Sequence, residues 1–200
     1  MAENKITKTD KKILAGVIAS GGVAVIPTDT IYGIVGSAGL PEVVERIYKL
    51  RRRNKNKPMI VLLSDVSDLE FFGVRVSAGK RRILSDIWPG RVSAVLPVAS
   101  SEYAYLHRGT KSIAFRVPAA AWLRELLAEC GPVVAPSANI EGEKPARNMR
   151  KAARCFGDKP DLYLSAGTAS GKPSTLVSLL GRRLKILREG AVRIDTSKFE

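Results

Sequence analysis

The sequence predicts an α/β fold: a twisted, open, mixed sheet flanked by helices. Two observations carry this. Short apolar runs with strand character alternate with longer stretches of helical period, as in βαβ-type chains. Further along, the runs Val92–Leu96 and Ile113–Val117 succeed each other with no helical pattern between them, as antiparallel neighbours do.

Asp10–Ser20 reads as a helix with Ile13, Leu14, Val17 and Ile18 on one face, closed by Gly21-Gly22. Val23–Ile26 is a strand stopped by Pro27. Pro41 opens a second helix whose stripe is Val43, Val44, Ile47 and Leu50. Met59–Leu63 is a buried strand. Ser77–Trp88 is helical and ends at Pro89-Gly90. Ala119–Glu129 is a helix before the strand Val133–Ala135, and Ala146–Phe156 is another helix. Leu162–Leu164, Thr175–Leu179 and Leu184–Leu187 close the chain as strands. Helices between the early strands imply parallel pairing there.

With 200 residues the chain is read as a single domain spanning 1–200, with no appended C-terminal domain. Composition is ordinary for a globular protein, at 45% hydrophobic and 26% charged residues, which excludes a disordered or collagenous chain. Cys130 and Cys155 form no disulfide framework and read as buried free thiols of a reducing compartment. No apolar run approaches the roughly 20 residues of a membrane span, and the start lacks the apolar core of a signal peptide. A cytoplasmic protein with no membrane contact is the expectation.

Charge is the first functional clue. Lys and Arg total 33 against 19 Asp and Glu, a net +14. Such a field attracts polyanions, so contact with nucleic acid is expected; adaptation to a salty or otherwise unusual cytoplasm is the alternative. One histidine, His107, argues against histidine-rich metal sites and against a Ser-His-Asp triad.

Four polar loops stand where chemistry could occur. Pro27-Thr28-Asp29-Thr30-Ile31-Tyr32-Gly33 follows a strand, the usual ligand position in α/β folds; a Ser/Thr turn is the structural alternative. The run from Lys49 to Lys57 carries six cations, more than a helix C-terminus explains, and suits phosphates. Ala135-Pro136-Ser137-Ala138-Asn139 follows another strand. The last combines Gly171-Lys172-Pro173-Ser174-Thr175 with Leu187-Arg188-Glu189-Gly190. Gly167–Lys172 superficially resembles a P-loop but has the wrong glycine spacing, with Pro173 in the hydroxyl position. Arg116, a cation inside an apolar strand, reads as paired or ligand-facing. Trp88 and Trp122 read as core residues.

These loops, in this order, resemble the YrdC-like family of L-threonylcarbamoyl-adenylate synthases. The matching stretches are Pro27–Gly33, Arg51-Arg52-Arg53 followed by Pro58-Met59, Trp88-Pro89-Gly90, Ala114-Phe115-Arg116, Pro136–Asn139, Ser174-Thr175 and Arg188-Glu189-Gly190. The resemblance implies a deep basic cavity in the open sheet. It also implies the reaction of L-threonine, bicarbonate and ATP to threonylcarbamoyl-AMP and pyrophosphate, for threonylcarbamoyladenosine modification of tRNA. A separate threonylcarbamoyl transferase would use the product. By motif, Thr30, Arg116, Ala135 and Ser174 would contact threonine. Arg53, Lys57, Ser112, Ser137, Asn139 and Arg188 would contact ATP. Arg51 and Arg53 are the catalytic candidates. ATP would be a substrate, and Mg²⁺ would be held mainly by its phosphates, with no protein metal site. Arg51 stands where the family has lysine, and Leu62 where several relatives have histidine. The resemblance makes tRNA or double-stranded RNA the expected partner of the basic surface. A non-enzymatic double-stranded RNA- or tRNA-binding relative and a related carbamoyl-adenylate enzyme are the alternatives.

Overall fold

The computed structural model describes residues 6–169, 171–181 and 183–199. Ser170, inside the P-loop-like stretch, lies outside them. The chain runs α1 Lys8–Ala19, β1 Ala24–Ile26, β2 Gly33–Ser37, α2 Pro41–Leu50, β3 Ile60–Leu62, α3 Ala78–Ile87, β4 Val92–Pro97, α4 Ala104–His107, β5 Ser112–Arg116, α5 Ala121–Cys130, β6 Val133–Val134, α6 Met149–Phe156, β7 Leu162–Tyr163, β8 Thr175–Ser178 and β9 Lys185–Arg188. Three 3₁₀ turns, Val66–Phe72, Ser101–Tyr103 and Thr196–Phe199, complete it.

Among the described residues the strands form one nine-stranded mixed sheet, ordered β7-β1-β2-β6-β3-β5-β4-β8-β9. The pairs β1–β7, β3–β5 and β4–β8 are parallel, and the others are antiparallel. The predicted open mixed sheet is therefore present, but its early part differs from expectation. β1 pairs antiparallel with β2, a strand the sequence hides behind glycines. Gly36 is a packing residue there: a Cβ on it would stand 2.4 Å from Val43 Cγ1 of α2.

Alternation along the strands sorts side chains to two faces. Val25, Ile34, Val61, Val134 and Phe115 face a large core closed by α2, α3, α4 and α6. Ala24, Ile26, Val35, Leu62 and Val133 face a smaller core covered by α1 and α5. Thr7 caps α1 by accepting from the Asp10 amide, in a capping box that starts the helix two residues before the predicted Asp10. Its buried stripe is Leu14, Ala15 and Ile18; Ile13, predicted inward, is half exposed. α6 starts at Met149 rather than Ala146, because the Asn148 side chain caps it. Trp88 is buried and donates its indole N–H to the Val92 carbonyl, as a core residue. Cys130 and Cys155 are free but only part-buried, less than expected.

The α1–α5 layer covers only one end of its face. Beyond it, Ile60, Ala114, Ser93, Leu176 and Arg188 lie on the same side of β3, β5, β4, β8 and β9, as the register requires. That uncovered strip is the floor of the site.

Candidate active site

A cavity of about 240 Å³ opens over this floor. The loop after β1, the chain after α2, the loop after β6 and the residues before β8 wall it. Among the described residues, four arginines, Arg51, Arg53, Arg116 and Arg188, line it and no carboxylate does.

The Thr28–Thr30 wall is shaped by a Ser/Thr turn. Thr28 Oγ1 accepts from the Thr30 and Ile31 amides and donates to the Ile31 carbonyl. The turn carries Thr30 to Arg116, whose Nη1 donates to the Thr30 hydroxyl at 3.2 Å. Arg116 is 3% exposed, and its Nη2 lies 3.2 Å from Asp29 Oδ1. That contact is ionic without hydrogen-bond alignment, since Asp29 Oδ1 and Arg116 Nε are both buried without a hydrogen-bond partner. Asp29 Oδ2 accepts instead from the Ala119 amide. Burial pushes the Arg116 pKa down and Asp29 opposes the shift.

A second cluster surrounds Arg51, which is 2% exposed. Its Nε donates to the Asn139 carbonyl at 3.1 Å and its Nη2 to Ser137 Oγ at 3.2 Å. Its Nη1 is buried without a partner, a donor left for an anion. Burial, with Arg53 nearby, pushes its pKa down to about 10, still cationic at neutral pH. Arg53 is held by the Lys57 and Pro58 carbonyls.

The third wall is Ser174, whose hydroxyl meets Ser93 Oγ at 2.8 Å while its carbonyl accepts from Arg188 Nη2. Backbone packing is tight here: a Cβ on Gly171 would stand 2.3 Å from the Thr30 carbonyl oxygen, and one on Gly190 2.4 Å from that of Pro173.

The structure thus brings Thr30, Arg51, Arg53, Arg116, Ala135, Ser137, Ser174 and Arg188 to one cavity. It does not bring Lys57, Ser112, Asn139 or Leu62 into the lining. Lys57 is exposed and pairs with Glu141 at 3.1 Å. Ser112 lies at the start of β5 against Thr110. Asn139 is buried behind Arg51, its amide donating to the Ile140 and Glu143 carbonyls. Leu62 packs in the α1–α5 core. Sequence reasoning missed Ser93, whose only signal was a hydroxyl in an apolar strand. It also left Asp29 without its role as Arg116's partner.

Among the described residues no group of three or more His, Cys, Asp or Glu side chains gathers, and no helix is long and apolar enough to cross a membrane. The sequence model of the Sua5–YciO–YrdC family, described as telomere recombination, matches residues 16–190. A Mycobacterium tuberculosis protein provisionally named threonylcarbamoyl-AMP synthase is 33% identical over 181 residues, which are 90% of this chain and 83% of that protein. The threonylcarbamoyl-AMP synthase of Pyrococcus abyssi is 29% identical over 188 residues, 92% of this chain and 55% of the relative. The crystal structure of P. abyssi Sua5 complexed with L-threonine superposes with a TM-score of 0.87 at 27% identity, over 94% of this chain and 56% of that one. This chain therefore spans about half the length of that neighbour.

Proposed function

The chain belongs to the Sua5–YciO–YrdC family, and on that premise we propose that it is an enzyme making L-threonylcarbamoyl-AMP from L-threonine, bicarbonate and ATP, with release of pyrophosphate. The observation that carries this reading is the cavity lined, among the described residues, by four arginines and no carboxylate, with Arg116 hydrogen-bonded to the Thr30 hydroxyl.

The residues divide the work. Arg116 offers its guanidinium to the amino acid's carboxylate, and Thr30 and Ser174 offer hydroxyls beside it. The free amine then faces bicarbonate and forms the carbamate with loss of water. A carbamate oxygen attacks the α-phosphate, and the bond to the departing pyrophosphate breaks. Arg51 and Arg53 stabilise the charge growing on that leaving group, and Arg188 adds a third cation. No protein nucleophile takes part. Among the described residues the lining offers hydroxyls and guanidinium groups rather than a carboxylate cage, so a Mg²⁺ ion would be held mainly by the phosphates of ATP, whose charge it would neutralise. Lys57 and Ser112 would meet ATP only outside the enclosed cavity. Asn139 would act through Arg51, which it holds. The product would pass to a separate threonylcarbamoyl transferase for tRNA modification, with tRNA contact through the basic surface.

Incubation of the protein with ATP, Mg²⁺, L-threonine and bicarbonate, followed by mass analysis, tests this. A product of the mass of threonylcarbamoyl-AMP supports it. AMP alone, or a carbamoyl-AMP lacking threonine, points to the related carbamoyl-adenylate chemistry instead.

A further inference from the structure

A second cation-lined crevice, of about 260 Å³, lies between α2 and α6, and the cavity described above does not use it. Arg46, Lys49, Arg52 and Lys159 surround it, over a floor that includes Ile140 and Phe156. Arg46 is bound to Asp161 at 2.6 Å. The side chains of Lys49, Arg52 and Lys159 make no hydrogen bond or ion pair among the described residues. Lys151, one turn before the crevice residue Cys155 on α6, extends the stripe on the same face. Glu143 is the other carboxylate whose charge reaches this crevice, at Cys155.

Arg52 is the unusual member. Its amide donates to the Lys49 carbonyl, and the Arg53 amide donates to that of Tyr48, which together form the Schellman ending of α2. Arg52 occupies the left-handed position of that motif, at φ 48°, where glycine is the usual residue. Arg108 shares that conformation, but its guanidinium lies 4.0 Å over the Tyr48 ring and pairs with Glu45, which offsets the strain. Arg52 has no such internal contact. Lys111 is also left-handed, at φ 51°, but lines none of the cavities described. Strain alone therefore marks nothing; its coincidence with an open cationic crevice does.

We infer that the α2–α6 crevice is a second anion site, which holds the phosphodiester backbone of a structured RNA, with Arg52 kept against backbone strain as its contact. The lining favours this occupant. Its charged side chains are lysines and arginines, the groups that most often meet phosphate oxygens, which suits backbone contact. Among the described residues the half-exposed large apolar side chains, Ile13, Phe71, Leu180 and Leu187, lie outside the crevice, so none of them offers a lipid anchor beside the charge. This deepens the tRNA contact of the proposed function and places it apart from the catalytic cavity.

The test is fluorescence anisotropy of the full chain with a labelled RNA stem-loop, between about 50 and 200 mM salt, with a melting curve and a pyrophosphate-release assay for each variant. Arg52→Gly should weaken RNA binding about three- to tenfold and reduce the log-log salt slope by about one, while raising the melting temperature by roughly 2 °C. Arg52→Gln should weaken binding equally with the strain retained. Lys111→Gly should raise the melting temperature and leave binding unchanged. Pyrophosphate release should survive in all three. Unchanged RNA affinity and slope in both Arg52 variants would overturn the inference. So would equal binding of the wild type to phosphatidylserine vesicles, or a loss of thermal stability in Arg52→Gly. Absence of pyrophosphate release from the wild type would instead sink the synthase reading and leave the binding result interpretable.

Discussion

Arg116 donates a 3.2 Å hydrogen bond to the Thr30 hydroxyl across two segments that are far apart in sequence. The same guanidinium lies 3.2 Å from Asp29, so one buried cation ties the turn after β1 to the end of β5. In the proposed role a carboxylate ligand would meet a cation already aimed, and that aim would depend on Asp29.

Replacing Arg116 by alanine should raise the KM for threonine by about tenfold or more and change that for ATP by less than about twofold. Steady-state kinetics with each substrate varied in turn give the answer. Equal effects on both substrates would remove Arg116 from the threonine position.

Asp29→Ala should cost about 3–5 kcal/mol of stability, because it leaves the Arg116 charge buried without its partner. Urea unfolding monitored by Trp88 and Trp122 fluorescence measures the loss. A cost under about 1 kcal/mol would mean that the pair is hydrated or interchangeable.

Arg53→Ala should raise the KM for ATP by about tenfold while threonine kinetics stay within about twofold. Unchanged ATP kinetics would take Arg53 out of the phosphate position.

Gly171→Ala should act at a distance. Its new Cβ would stand 2.3 Å from the Thr30 carbonyl oxygen, so the chain leading to Ser174 must shift. We expect a stability loss of about 1–3 kcal/mol and a higher KM for threonine. A variant with wild-type kinetics and melting temperature would show that this packing does not set the site.

Arg51 gives a pH prediction. Burial and nearby Arg53 hold its pKa at about 10, below its ordinary value. Between those two values the unfolded chain binds more protons than the folded one, so stability rises with pH in that window, and the charged group costs stability at neutral pH. In the proposed role a bound polyphosphate would offset that cost. At about 100 times its dissociation constant, pyrophosphate should add about 2.7 kcal/mol, or roughly 5–10 °C in melting temperature. The shift should hold from about pH 6 to 9 and shrink above about pH 10. Arg51→Leu should lose most of it, and a full shift in that variant would contradict the role given to Arg51.

Much of the fold was legible because apolar period and helix-stop residues act locally. The helix opened by Pro41 and the strands Val92–Pro97 and Ser112–Arg116 stand close to where the pattern puts them. β2 was not legible, because Gly33 and Gly36 read as loop residues and the reason for Gly36, the approach of Val43, is tertiary. α4 was missed for a similar reason. Its four residues carry no helical period, and the surrounding segment is fixed by distant contacts such as Tyr105 Oη to the Ala38 carbonyl. In the site, Thr30, Arg116 and Ser174 were visible as polar residues at strand ends. Ser93 was not, because a lone hydroxyl in an apolar strand becomes meaningful only when β8 places Ser174 beside it. Asn139 and Arg51 illustrate the converse. Their motifs were readable, but only the structure places one behind the other.

The most direct measurement is the initial rate of pyrophosphate release from ATP and Mg²⁺, with L-threonine and bicarbonate omitted singly and together. The cavity described here predicts release only when both are present, with loss in Arg116→Ala that high threonine partly restores. Release that ignores threonine, or no release in the complete mixture, would contradict the assignment of this cavity to threonylcarbamoyl-AMP synthesis.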